Sequence, residues 1–341
     1  MKNFYKGLRR ILAVLLGIVF FAAGTLKLMD PVGTGLLAGE YLRLFGMGGF
    51  SGAAGFLGLA ASLLETITGA ALITGVWRRI VAWVCAGQLF IYTIITLILL
   101  ILNPPMDCGC FGEMIKLTHA QSFVKNLVLC GMWIISFVPM KLLDRPKKIK
   151  YLPFGLVTLS SVAFMIFSLA GIPLVSFTPF KPGTQIGYDT KFDEVPLSIR
   201  DSRGNYADDT LHSGKKIIYS LFDPSPRIAG KCLGDFDITR KAGFEPLLLL
   251  SQNTGVEKID SLAFFADRKD LLSLNRSNGG GTWLSDGMLV SSWPFSDRPS
   301  ERELSEMAAA DPLEEMLDFS ASGRLRFEAY LLVTLAIMFL L

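Results

Sequence analysis

The run Asp107-Cys108-Gly109-Cys110-Phe111-Gly112-Glu113 sets two thiols one residue apart, just after the apolar stretch 82–102 and its terminator Asn103-Pro104-Pro105. Cysteines so spaced can close a small ring, because their Cα separation can fall inside the disulfide range. Gly109 tolerates the unusual backbone angles such a ring needs. Strain in the ring raises its reduction potential and makes the bond an oxidant of partner thiols. The neighbouring charges oppose one another: Asp107 and Glu113 raise a thiol pKa, while Lys116 and a protonated His119 lower it. Three readings stand open. Cys108 and Cys110 form a redox pair, the preferred one; they form a static disulfide or pair with Cys130 or Cys232; or they join His119 in a metal site, which lacks a fourth ligand and a second Cys-rich cluster.

Other residues bear on the same chemistry. Cys130, expected about one and a half turns into its helix, and Cys232 are the candidate resolving thiols, while Cys85 reads as a packing residue. Lys27 and Glu65 stand inside apolar helices, where a bare charge is expensive. At 1.5 Å per residue Lys27 lies roughly 24 Å from residue 11 and Glu65 roughly 18 Å from Trp77, within about 6 Å axially on antiparallel helices. A Lys27–Glu65 pair inside the bundle is one reading; snorkelling of Lys27 with a protonated Glu65 is the other. Gln88, Tyr92 and Thr93 are weaker candidates for polar groups facing an interior cavity.

Positioning falls to a membrane bundle. About 20 apolar residues cross a bilayer core, and five windows qualify: 11–29, 52–77, 80–102, 123–140 and 151–173, with a shorter run at 329–341. Of the 15 Lys/Arg before residue 177, eleven cluster at Lys2, Lys6, Arg9 and Arg10, at Arg78 and Arg79, and at Lys141, Arg145, Lys147, Lys148 and Lys150. The positive-inside rule assigns these to the cytoplasm and leaves 30–50, 103–122 and 177–323 outside. The cysteine loop and the hydrophilic segment then share the oxidising face of a bacterial inner membrane. The basic clusters read as topology signals, so no nucleic acid is expected. The start also resembles a cleavable leader ending at Ala22-Ala23-Gly24, but the apolar run continues past that point.

The expected divisions are a four-helix transmembrane domain at 1–144, a fifth transmembrane helix at 145–176, an extracytoplasmic α/β domain at 177–323 and a short or truncated C-terminal transmembrane segment at 324–341. Residues 30–50 read as a short amphipathic helix on the outer interface. The extracytoplasmic segment carries 16 Lys/Arg against 23 Asp/Glu. Strands are expected at Lys216–Phe222 and Pro246–Leu250, with helices near 230–242 and 255–262. A hairpin follows around Asp286-Gly287 and a helix at 300–318, the order of a small thioredoxin-type sheet.

Gly17, Phe20, Gly24, Lys27 and Asp30-Pro31, with Glu65, Gly69 and Gly75, resemble the opening helices of DoxX-family membrane proteins. Asp107-Cys108-Gly109-Cys110-Phe111-Gly112 resembles the loop of the MauE-like branch, so that the likeness covers about residues 8–140. The tail resembles Bacteroidetes-type extended forms, in which a degenerate thioredoxin-like domain follows a fifth helix. Phe264-Phe265-Ala266-Asp267, Arg276-Ser277-Asn278 and 281–293 carry that likeness. The resemblance implies disulfide formation in, or maturation of, exported proteins, with quinone as a candidate electron acceptor. Pro224-Ser225-Pro226-Arg227 occupies the place of a thioredoxin's cysteines. Two departures stand out: Gly279-Gly280-Gly281 stands where its cis-proline would be, and the final apolar run spans only about 13–15 residues, below the usual ~20, with Arg324 and Arg326 on its outer side.

The expected function is an inner-membrane thiol–disulfide protein that takes electrons from exported protein thiols or a soluble redox partner. A membrane scaffold with a structural disulfide and an outer docking domain is the alternative.

Overall fold

The computed structural model describes residues 2–104, 108–113, 117–140, 148–176, 178–187 and 194–340. The chain forms two compact units, residues 1–169 with 328–341, and residues 170–327.

The first unit is helical. α1 (Lys2–Met29) is followed by α2 (Pro31–Leu44), α3 (Ala54–Thr74), α4 (Arg78–Leu102), the short strand β1 (Cys110–Glu113), α5 (His119–Phe137) and α6 (Tyr151–Ala170). Among the described residues, five helices are long and apolar enough to cross a membrane: 4–29, 54–74, 78–102, 119–137 and 148–169. The chain is a multi-pass membrane protein by that measure. Local chemistry sets the breaks. Asp30 ends α1 and caps α2 by accepting from the Gly33 N–H at 2.9 Å, with Pro31 at the first helical position. Gly75 closes α3 in the left-handed conformation at φ +81°.

Small residues let α1 and α3 approach closely, as apolar helices in lipid require. A Cβ on Gly17 would lie 2.9 Å from the Gly69 carbonyl oxygen, and one on Gly24 2.8 Å from that of Ser62. The α3 hydroxyls of this seam bond back into their own helix, Ser62 to Gly58 and Thr66 to Ser62, which satisfies them in an apolar medium. α4 and α5 are pinned by polar bonds: Asn126 Nδ2 donates to the Tyr92 carbonyl and to Thr96 Oγ1, each at 3.1 Å, and Trp133 Nε1 donates to the Ala82 carbonyl at 2.9 Å.

Three expectations about this unit change. Residues 31–44 do form a helix, and it packs on α3 through small residues, with a Cβ on Gly35 falling 3.0 Å from Gly55 Cα. α5 begins at His119, earlier than the apolar window at 123, because Thr118 and Gln121 form a capping box. The apolar run at the C-terminus belongs to one long helix, Pro312–Leu340. Its last part packs on the bundle, with Tyr330 stacked on Phe164 of α6 at 4.5 Å between centroids.

The second unit is a separate mixed-sheet domain. β2 (Lys215–Leu221), α7 (Pro226–Gly234), α8 (Phe236–Lys241), β3 (Glu245–Leu250), α9 (Glu257–Asp260), β4 (Phe264–Phe265), α10 (Arg268–Leu274), β5 (Gly280–Ser285), β6 (Met288–Trp293), α11 (Glu301–Ala309) and α12 (Pro312–Leu340) follow in order, and α12 continues into the first unit. The strands run β4-β3-β2-β5-β6, with β2, β3 and β4 parallel and β5 and β6 antiparallel. Alternation along β2 splits the core: Ile217, Tyr219 and Leu221 face α7, α8 and α11, whereas Ile218 faces α10. Asp286 and Gly287, at φ +48° and +80°, make the tight turn between β5 and β6. β4 and α10 were not expected from the sequence. β4 has only two residues and gains its pairing from β3 and from a bridge between Phe265 and Arg200.

Candidate functional site

The cysteine loop is built on glycines. Gly109 and Gly112 take φ +60° and +62°, values that a side chain resists, and the Gly112 N–H closes a turn on the Gly109 carbonyl at 3.2 Å. Gly109 is needed twice over, because a Cβ there would run into the Leu37 side chain of α2. Tyr41, also from α2, donates its hydroxyl to the Cys108 carbonyl.

This framing brings Cys108 Sγ and Cys110 Sγ to 2.7 Å, both as free thiols. Their surroundings differ. The sulfur–sulfur contact with Cys108 and the ammonium groups of Lys125 and Lys27 bring the Cys110 pKa down to about 5, against the opposing effect of burial. Cys108, only 4% exposed, is pushed up by its contact with Cys110 and by burial. Lys125 projects from α5 and also lies 5.0 Å from the centroid of the Phe111 ring.

Lys27 of α1 reaches Glu65 of α3 with Nζ 2.6 Å from Oε2, the two side chains only 14% and 6% exposed. Lys27 Nζ also sits 5.4 Å from the centroid of the Tyr92 ring on α4. Cys108, Cys110, Lys125, Lys27, Glu65 and Tyr92 all line one cavity of about 460 Å³. The remaining wall is mostly apolar, including Leu37, Leu42, Phe45, Leu57, Ile91 and Ile95. An apolar pocket of a few hundred Å³ with a small set of convergent polar groups is the usual form of a small-molecule site.

The other expected residues lie elsewhere. Cys130 is eleven residues into α5, about three turns, where its Sγ meets Thr93 Oγ1 at 3.7 Å; it does not line the cavity. The earlier start of α5 is what sets it deeper than expected. Cys85 is fully buried in the bundle core. Cys232 is fully buried in the second unit, its thiol 3.6 Å from the Gly279 carbonyl and pushed up to about 12 by burial. His119 opens α5 with Nε2 3.2 Å from the Pro104 carbonyl. Among the described residues no group of three or more His, Cys, Asp or Glu side chains is arranged to hold a metal. Tyr92 and Thr96 line the cavity, and Gln88 and Thr93 do not. Asp107 and Lys116 lie outside the described residues, as does the side chain of Glu113.

Sequence reasoning passed over Lys125, Tyr41 and Leu37. Lys125 carried the same signal as Lys27, a lone cation within an apolar helix. Tyr41 and Leu37 carried none, since only the packing of α2 brings them to the loop.

The first unit thus defines a multi-pass helical membrane protein with a paired-thiol loop beside an intramembrane cavity. Residues 6–139 match the family described as methylamine utilisation protein MauE, a membrane family related to DoxX. Neither the curated proteins nor the solved structures compared with the chain gave a match.

Proposed function

We propose that this chain is an inner-membrane thiol–disulfide oxidoreductase whose Cys108/Cys110 pair transfers electrons from exported protein thiols to a quinone in the bundle cavity. The observation that carries this reading is the placement of both sulfurs on the wall of a 460 Å³ largely apolar cavity, with Lys125 acting on both thiols and Lys27 adding to its effect on Cys110. The oxidised pair takes two electrons and two protons from a substrate dithiol, leaving a substrate disulfide and two cysteine thiols. The Cys110 thiolate then passes two electrons to the quinone ring, the Cys108–Cys110 bond re-forms, and two protons complete the hydroquinone. Lys125, Lys27 and Glu65 line the same cavity and are the charged groups available there for proton movement.

Orientation follows the basic clusters, with the N-terminus cytoplasmic and residues 177–323 periplasmic. The second unit serves as a degenerate thioredoxin-like docking domain. In support, β3-β2-β5-β6 has the parallel and antiparallel pattern of that fold's core. Ser225 caps α7 where the redox cysteines of a thioredoxin stand, so this unit supplies no dithiol of its own.

A scaffold with a stapled loop is the second reading, favoured by the close packing of Gly109 on Leu37 and the Tyr41 bond to Cys108. Measuring the midpoint potential of the pair in membranes, with and without ubiquinone or menaquinone, separates the two. A redox carrier cycles between thiol and disulfide and loses reoxidation in Cys108→Ser. A pair that stays oxidised under mild reductant and quinone starvation overturns the proposal.

A further inference from the structure

At the end of the bundle away from the cysteine loop, a second cavity of about 50 Å³ is walled by Arg9, Arg10 and Arg78, together with Lys6, Gly75 and Ser136. Roughly 10–15 Å³ suffices for one water, so this space accepts a small polyatomic group. Among the described residues no carboxylate contributes to its wall.

Charge placed to mark topology can remain in water, but here Arg9 is buried and Arg10 and Arg78 are half-buried. Arg9 is only 7% exposed. Its Nε donates to the Ser136 carbonyl at 2.9 Å and its second nitrogen to that of Pro139 at 3.3 Å. Arg10 donates to the Leu72 carbonyl at 2.7 Å and to that of Ile73. These carbonyls belong to the ends of α3 and α5, where helix dipoles favour cations. They satisfy individual N–H groups, and among the described residues no carboxylate pairs with the three guanidinium groups. Arg78 lacks even that: its Nε is buried with no acceptor among the described residues. An unpaired buried donor on a cation is costly, and a bound anion removes the cost.

We infer that Arg9, Arg10 and Arg78 form a binding site for a phosphate group. Guanidinium forks match phosphate oxygens in geometry as well as charge. Two sources share this chemistry, the headgroup of an anionic phospholipid and free inorganic phosphate. The end of a transmembrane bundle lies at headgroup depth, which favours the lipid.

The test uses the full-length protein in detergent, titrated separately with phosphatidylglycerol, phosphatidylcholine and inorganic phosphate while the unfolding midpoint is followed. Phosphatidylglycerol raises the midpoint and phosphatidylcholine does not. Arg78→Gln weakens the apparent affinity about tenfold or more, the loss of one charge-assisted contact, whereas exposed Arg79→Gln leaves it unchanged. A comparable rise with inorganic phosphate identifies a free oxyanion as ligand; a rise with the lipid alone identifies the headgroup. Arg78→Lys, which keeps the charge and loses the fork, retains partial binding and serves if Arg78→Gln does not fold. The inference fails if neither phosphatidylglycerol nor phosphate shifts the wild-type protein. It fails equally if the Arg78 and Arg79 variants bind alike.

Discussion

Lys27 spans the seam between α1 and α3 to place its ammonium 2.6 Å from the Glu65 carboxylate, with both side chains largely withdrawn from solvent. That single contact ties the two most closely packed helices of the bundle to the wall of the cavity beneath the cysteine pair. Its consequences can be measured in stability as well as in redox chemistry.

Removing one partner leaves the other charge buried and unpaired. Glu65→Gln and Lys27→Met should each lower stability by roughly 3–5 kcal/mol, and the double variant by less than the sum. Unfolding midpoints in detergent for the four proteins of the cycle measure this. Additive losses would show that the two groups do not act as a pair.

The pH dependence of Cys110 follows from its surroundings. With its pKa near 5, the thiol is ionised at neutral pH and regains its proton as pH falls through that value. Alkylation of the reduced protein should therefore be flat from neutral pH down to about 6 and decline below about 5. Cys108→Ala removes the leading cause and should move the inflection furthest toward that of a free thiol. Lys125→Met should move it less, in the same direction. An inflection near 8 or 9 in the wild-type protein would refute the assignment.

Gly109→Ala meets two obstacles, a left-handed backbone and the Leu37 side chain. A left-handed non-glycine residue costs roughly 1–2 kcal/mol, so loop closure and disulfide formation should both suffer. Adding Leu37→Ala should recover the steric part and leave the backbone part. Quantifying free thiols after mild oxidation in the three variants distinguishes the contributions.

Filling the cavity separates its two proposed steps. Ala61→Phe adds bulk to the wall without touching a thiol. It should slow reoxidation by quinone at least tenfold while leaving exchange with dithiothreitol near the wild-type rate. Equal quinone reactivity in the variant would place the acceptor elsewhere.

Much of the frame could be read directly from residue order. Long uncharged runs can only be satisfied by helices in an apolar medium, so the bundle follows from composition. Asp30-Pro31 and Asp286-Gly287 mark chain reversals through local backbone chemistry alone, and helical rise is enough to set Lys27 level with Glu65. Short elements were less legible. β4 owes its pairing to a distant strand, and α5 starts earlier than its apolar window because a capping box uses polar residues that hydropathy scores against it.

The sequence by itself determined that two thiols and a glycine share a loop at a helix end, because that relation is covalent and needs no tertiary contact. Only the tertiary structure set the two thiols in different surroundings, with Cys110 the one pushed toward ionisation. Lys125 approaches Cys110 from a separate helix held by Asn126 and Trp133, and Tyr41 reaches Cys108 from a helix folded back on α3. Electrostatic distinctions between adjacent cysteines depend on charges brought within a few ångströms by packing. Neighbours along the chain cannot specify them.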